Sequence, residues 1–131
     1  SEPLAIQLDY DKTSLAVNDE LKATARVTNR MTESAPMVML DLPIPPGFAI
    51  ESDDLESLRA ADKIGKFQIT PRSAIVYLRE LKPSETLELA YRLRATLPVK
   101  ITAAAARVYE YYNPDRQSAT KPAALTVVSP K

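Results

Sequence analysis

The sequence contains no cysteine, no histidine and no tryptophan. Together these absences remove thiol nucleophiles, Cys/His zinc sites, imidazole general bases and disulfide staples. An enzyme of this composition would have to work with carboxylates, lysines, tyrosines or hydroxyls. The lack of cysteine fixes no compartment, because a secreted or periplasmic domain with an adequate core needs no disulfide. Glycine is nearly absent too, with only Gly47 and Gly65. A Gly-x-Ser-x-Gly nucleophile elbow and the glycine-rich loops that cradle phosphate are therefore excluded. Excess charge of either sign is missing as well: 17 basic and 17 acidic side chains give a formal charge of zero. A protein that neutralises many phosphates would be basic, so nucleic acid is not an expected partner. No stretch approaches the ~20 apolar residues of a membrane-spanning helix. The opening Ser-Glu-Pro-Leu-Ala has neither the basic nor the apolar region of a secretion signal, which fits a cleaved signal or a fragment of a longer protein.

What is present is one core's worth of apolar residues in a strand pattern. The 131 residues, 45% hydrophobic, suffice for a single domain spanning residues 1–131. Leu21, Ala23, Ala25 and Val27 alternate with Lys22, Thr24, Arg26 and Thr28, and Leu87, Leu89, Tyr91, Leu93 and Ala95 repeat the pattern. Such period-two alternation predicts strands with one buried and one wet face. The apolar runs Met37 to Leu42 and Ala74 to Leu81 suit strands covered on both faces. Further strands are expected at Leu4 to Tyr10, Lys66 to Thr70, Ile101 to Tyr112 and Ala123 to Val128. The alanines Ala103 to Ala106 favour helix by propensity, but strand formers flank them and strand is the better reading. The sum is about eight strands at the spacing of an antiparallel β-sandwich. Turns are marked by Asn18-Asp19, by Lys82-Pro83-Ser84 and by the stiff run Pro43 to Phe48.

One segment departs from the strand pattern. Between Ser52 and Gly65, Leu55, Leu58 and Ala61 recur at helical spacing. Asp53 followed by Glu56 resembles a capping box, Lys63 lies near the negative end of the dipole, and Gly65 can take a left-handed stop. A helix of about three turns near residues 53–64 follows, inserted into a β domain.

Three groups of side chains are candidates for function. Glu51, Asp53, Asp54, Glu56 and Asp62 gather around the helix with Arg59 and Lys63. They lack the glycine-punctuated spacing of a calcium loop, and acids in a first helical turn complement the macrodipole. Basic residues follow in the strands at Arg79, Lys82, Arg92, Arg94, Lys100 and Arg107. Arg92 and Arg94 are expected to form a charge ladder with Glu88, either as a solvated face or as a contact for an adjacent acidic domain. Tyr109, Tyr111 and Tyr112 precede the turn Asn113-Pro114-Asp115 and are read chiefly as core packing, with sugar stacking as the alternative. No oriented acid, base or nucleophile emerges, and neither a metal nor a cofactor is expected.

Four pieces in order resemble the C-terminal receptor-binding domain of the α2-macroglobulin and complement thioester-protein family. They are Met37 to Leu42 running to Pro46-Gly47-Phe48, the helix, Ile75 to Leu81, and Arg107-Val108-Tyr109-Glu110-Tyr111-Tyr112-Asn113-Pro114-Asp115. The resemblance covers about Asp19 to Val128. It implies a mainly β, macroglobulin-type sandwich with one helix across a sheet edge, at the end of a larger secreted, periplasmic or cell-surface protein. Such proteins trap proteinases, and their terminal domain does no chemistry but packs against a thioester-type domain. Animal members use two lysines one helical turn apart to engage an endocytic receptor of the low-density-lipoprotein-receptor family. The matching places here are Ser52 and Glu56, and Lys63 and Lys66 lie beyond them. An acidic receptor module would be repelled by Asp53 and Glu56. The resemblance therefore implies a bacterial-type homologue without animal-type receptor binding. The candidate interface is Asp53, Glu56, Arg59, Lys63, Lys66, Tyr109, Tyr111 and Tyr112. A different class of reading, an Ig-like cell-surface or polysaccharide-binding module, requires exposed tyrosines.

Overall fold

The two strands with the clearest alternation pair with each other. In the computed structural model, which describes residues 2–129, β1 (Leu4–Tyr10), β3 (Glu20–Asn29), β8 (Thr86–Ala95) and β5 (Phe48–Ile50) form one antiparallel sheet in that order. Leu21, Ala23, Ala25 and Val27 of β3 and Leu89, Tyr91, Leu93 and Ala95 of β8 are buried on its inner face. The register places Tyr10, Ala23 and Tyr91 in one row. The small central alanine leaves room for a large ring on either side. A second sheet runs β11 (Asn113–Ala119), β10 (Arg107–Glu110), β4 (Ala35–Pro43), β7 (Ser73–Leu81) and β6 (Lys66–Ile69), and its Val38, Leu40, Leu42, Val76, Leu78 and Val108 complete the core. A smaller third sheet of β2 (Ser14–Ala16), β12 (Ala123–Val128) and β9 (Val99–Ala103) adds Leu15, Leu125 and Val127. The fold is mainly β, a sandwich with one short helix.

The helix α1 (Asp53–Ala60) joins β5, an edge of the first sheet, to β6, an edge of the second. It packs on β8 and β6 with Leu55 fully buried and Leu58 half-buried. It is shorter than the sequence pattern predicts, and Ala61 lies exposed beyond its end. The expected capping box is absent: Ser52 makes no side-chain cap, and the Glu56 carboxylate is engaged by Arg59. The stop is also displaced. Asp62 takes the left-handed conformation at φ 60°, with the Lys63 N–H donating to Leu58 O at 2.9 Å and the Asp62 N–H to Arg59 O at 3.0 Å. That is a Schellman termination, reached three residues before Gly65.

The described residues form twelve strands where eight were expected, and the differences have local causes. The segment read as one strand from Ile101 to Tyr112 breaks at Ala104–Ala106, and its halves, β9 and β10, belong to different sheets. Buried Ala103 and Ala106 are small enough to let the chain cross between layers there. The stretch Asn113 to Asp115, which has turn chemistry, opens edge strand β11, and an edge tolerates Pro114. β2 and β5 are only three residues each, too short to show alternation. Strand β7 is covered on one face only, with Ile75 and Tyr77 half-buried and Arg79 exposed, whereas β4 buries Met39 as well as Val38 and Leu40. Gly47, at φ 85°, is the tight point of the proline-rich loop, where an added Cβ would come 2.9 Å from Val99 Cγ1.

Candidate functional site

Two of the three candidate groups are tied down by specific contacts. Asp54 turns its carboxylate onto β8, accepting hydrogen bonds from the Arg92 backbone N–H at 2.8 Å and from its guanidinium at 3.0 Å. This fork docks the helix onto the sheet. Arg94 reaches Glu51 at 3.5 Å, and Arg79 pairs with Asp62 at 2.8 Å. The expected ladder of Arg92 and Arg94 with Glu88 does not form. Directly opposite Glu88 in the register is Arg26, which takes it at 2.6 Å, while Arg92 and Arg94 turn to the helix side. On the helix, Arg59 donates to Glu56 and holds that carboxyl below its ordinary range. Asp53 and Lys63 stand exposed. Among the described residues no cluster of acids is arranged to hold a metal ion.

The tyrosines do not pack in the core. Tyr111 and Tyr112 are 53% and 73% exposed, their rings edge-to-face at 5.2 Å, on the tight connection between β10 and β11. Alternation along β10 explains why: Val108 and Glu110 point inward, Tyr109 is half-buried, and the chain then turns. Two anchors hold this tip. The Tyr111 N–H donates to Met37 O at 2.9 Å, and the buried Glu110 carboxylate accepts from Arg116 at 3.2 Å. Arg116 also reaches Glu33 at 3.3 Å, so an inward-facing acid in a β hairpin is neutralised from the next strand. The Glu110–Arg116 pair is absent from the sequence-predicted set. Its only signal is an acid at an inward position of an otherwise apolar alternation.

Lys66 and Tyr109, far apart in sequence, fall in one register row. From β11 to β6 the row reads Gln117, Tyr109, Met39, Tyr77, Lys66. Lys66 Nζ lies 4.5 Å from the Tyr77 ring centroid, and the Arg107 guanidinium lies 5.4 Å from that of Tyr109. Asp53, Glu56 and Arg59 belong to the helix and are not part of this row.

Comparison with known proteins identifies the family to which this helix between two sheet edges and this tyrosine hairpin belong. The profile of the A-macroglobulin receptor binding domain matches residues 33–122. The chain belongs to that family. Its fold is shared by alpha-2-macroglobulins of known structure. A variant of the Salmonella protein superposes with a TM-score of 0.81 at 16% identity, over 99% of this chain and 9% of that one. A C-terminal portion of the native Escherichia coli protein gives 0.78 at 15% identity, over 96% and 23%. The E. coli protein activated by porcine elastase gives 0.78 at 18% identity, over 97% and 13%. This receptor-binding domain thus spans a small part of the chains it resembles. No curated protein matches the sequence. As the receptor-binding module of its family, the domain is non-catalytic.

Proposed function

We propose that this domain is the C-terminal module of an α2-macroglobulin-like proteinase inhibitor of bacterial type, secreted or periplasmic. In this reading it packs against a thioester-type domain of the same chain and moves with it when a proteinase is trapped. The observation that carries the reading is the exposed Tyr111–Tyr112 tip, held rigid by Glu110–Arg116 and by Met37 O. Pre-ordered aromatic rings on a fixed backbone are what interface anchors require, since little side-chain entropy is lost on docking. Tyr109, the helix residues Asp53, Glu56 and Arg59, Lys63 just beyond the helix and Lys66 on β6 complete the candidate contact set.

The same exposure favours a second reading, a polysaccharide-binding surface module. Rings at 89° to each other offer no shared platform to a sugar face, which weighs against it. The test is Tyr111→Ser with Tyr112→Ser in the full parent chain. The packing reading expects faster amide exchange in this domain and impaired proteinase trapping, with thermal unfolding of the domain unchanged. Unaltered exchange and trapping would refute it. Weakened retention on oligosaccharide resin, with trapping intact, would favour the second reading instead.

A further inference from the structure

The two outer faces of the sandwich differ in kind. On the β1-β3-β8-β5 sheet the outer face is largely polar, its apolar members including the small Ala5, Ala49 and Ala90. Arg26 bridges Asp9 at 3.4 Å and Glu88 at 2.6 Å, Arg92 and Arg94 pair with Asp54 and Glu51, and the Thr28 and Thr86 hydroxyls meet at 2.9 Å. This is how a solvated face is built. The outer face of the five-stranded sheet instead carries Tyr109, Met39 and Tyr77 in one row and Ile75 in the next, between Asp41 and Gln68. Met39 is only 6% exposed, and its register neighbours are Tyr109 and Tyr77. Beside the row a pocket of ≈ 270 Å³ is lined by Met37, Gly65, Lys66, Tyr77 and Arg79.

The charges on this face are also unlike those opposite. Lys66 ends the row and forms no ion pair with a carboxylate among the described residues, whereas Arg107 stands in the next row opposite Asp41 and donates to Gln117 Oε1 at 3.2 Å. Each also lies over a tyrosine ring. We propose that this face docks a neighbouring domain of the parent chain whose contact surface is apolar at its centre and carries carboxylates at its rim. Tyrosine, methionine and arginine are the side chains that interface cores enrich, and a contiguous apolar patch on a sheet face is otherwise a solubility cost. A carboxylate from the partner would take Lys66, which has no acid opposite it in the register. A second copy of this chain fits poorly, because a two-fold contact would set the Lys66 end of one face against the Arg107 end of the other. The inference rests on the reading of the chain as one domain of a larger protein, and it names the packing face.

Single cysteines in the otherwise cysteine-free domain test it in the full parent chain. Gln68→Cys reports this face, Lys22→Cys the opposite face and Tyr112→Cys the hairpin tip; each is reacted with a maleimide under native conditions and read by peptide mass spectrometry. The expected result is labelling at least about ten-fold slower at Gln68→Cys than at Lys22→Cys, independent of protein concentration. Adding Lys66→Glu and Arg107→Glu should raise the Gln68→Cys rate to that of Lys22→Cys; Lys66→Gln with Arg107→Gln reads the same way if charge reversal unfolds the domain. Equal rates at the two faces overturn the proposal, and protection that vanishes on dilution assigns the face to a second copy and overturns it too. Protection that survives loss of both cations refutes the acidic rim. A protected tip with an unprotected face leaves the packing function standing without this surface, whereas labelling at both refutes the function as well.

Discussion

Tyr10 and Tyr91 flank Ala23 in one register row, yet their hydroxyls fare differently. Tyr91 Oη donates to Pro43 O at 3.3 Å, whereas Tyr10 Oη is buried with no hydrogen-bond partner among the described residues. A buried polar atom left unsatisfied costs about 1–3 kcal/mol, while a neutral hydrogen bond contributes a net of about 0.5–1.5 kcal/mol. Tyr10→Phe removes a liability and keeps the ring, so stability should rise by about 1 kcal/mol, after allowance for relaxation around the atom. Tyr91→Phe leaves Pro43 O without its donor and should lower stability by about 1 kcal/mol, the long bond placing it below the upper bound. For a domain of this size each change moves Tm by about 4 °C, in opposite directions. The assay is urea unfolding followed by far-UV circular dichroism, with the m-value checked for constancy.

Alkaline titration adds an independent reading of the same pair. Burial pushes the Tyr10 hydroxyl up from 10.0 to about 12, and burial together with the neighbouring Tyr10 pushes Tyr91 well above its ordinary value. The ionising form is the anion, so a raised pKa in the folded state means stability that is whole below pH 10.0 and falls as pH rises toward about 12. Tyr10→Phe should flatten that fall. Equal destabilisation by the two substitutions, or an unchanged alkaline slope in Tyr10→Phe, would refute the assignment of the orphan hydroxyl.

Asn29 Nδ2 donates to Leu81 O and Glu33 O, both at 2.9 Å, and its Oδ1 accepts from Met31 N at 2.8 Å. Asn29→Ala strands these groups at the end of β3 and should cost about 2–3 kcal/mol in urea unfolding; a loss near zero would show that water replaces the amide. Gly47→Ala combines a φ of 85° with a Cβ 2.9 Å from Val99 Cγ1 and should cost about 1–3 kcal/mol, read as a lower midpoint at constant m. The isolated domain is expected not to bind an endocytic receptor of the lipoprotein-receptor family. Nanomolar binding in surface plasmon resonance, abolished by Lys63→Ala or Lys66→Ala, would overturn the argument from Ser52 and Glu56.

The strands easiest to read in the sequence were those whose two faces meet different solvents. β3 and β8 alternate because one face meets the core and the other water, and that contrast is written residue by residue. Asn18 and Ser84 took the positive φ that their turn sequences suggest. The helix was legible through Leu55 but not at its ends. Which acid caps and which pairs depends on the cations across the gap, and Arg92 drew Asp54 while Arg59 drew Glu56. The tyrosines misled because aromatic residues usually fill cores, whereas here Glu110 took the inward position and the chain turned at once, leaving two rings outside.

The sequence by itself determined the domain's β class and the order of parts that resembles its family. These follow from side-chain identity and short-range periodicity, which need no knowledge of what lies across the fold. Only the tertiary structure decided that the alanines at 104–106 carry the chain between sheets, that Arg26 rather than Arg92 answers Glu88, and that Tyr109, Met39, Tyr77 and Lys66 share one face. Each depends on register between strands distant in the chain. Register is set by the packing of the whole core, since a slip of one residue would turn every side chain of a strand to the opposite face.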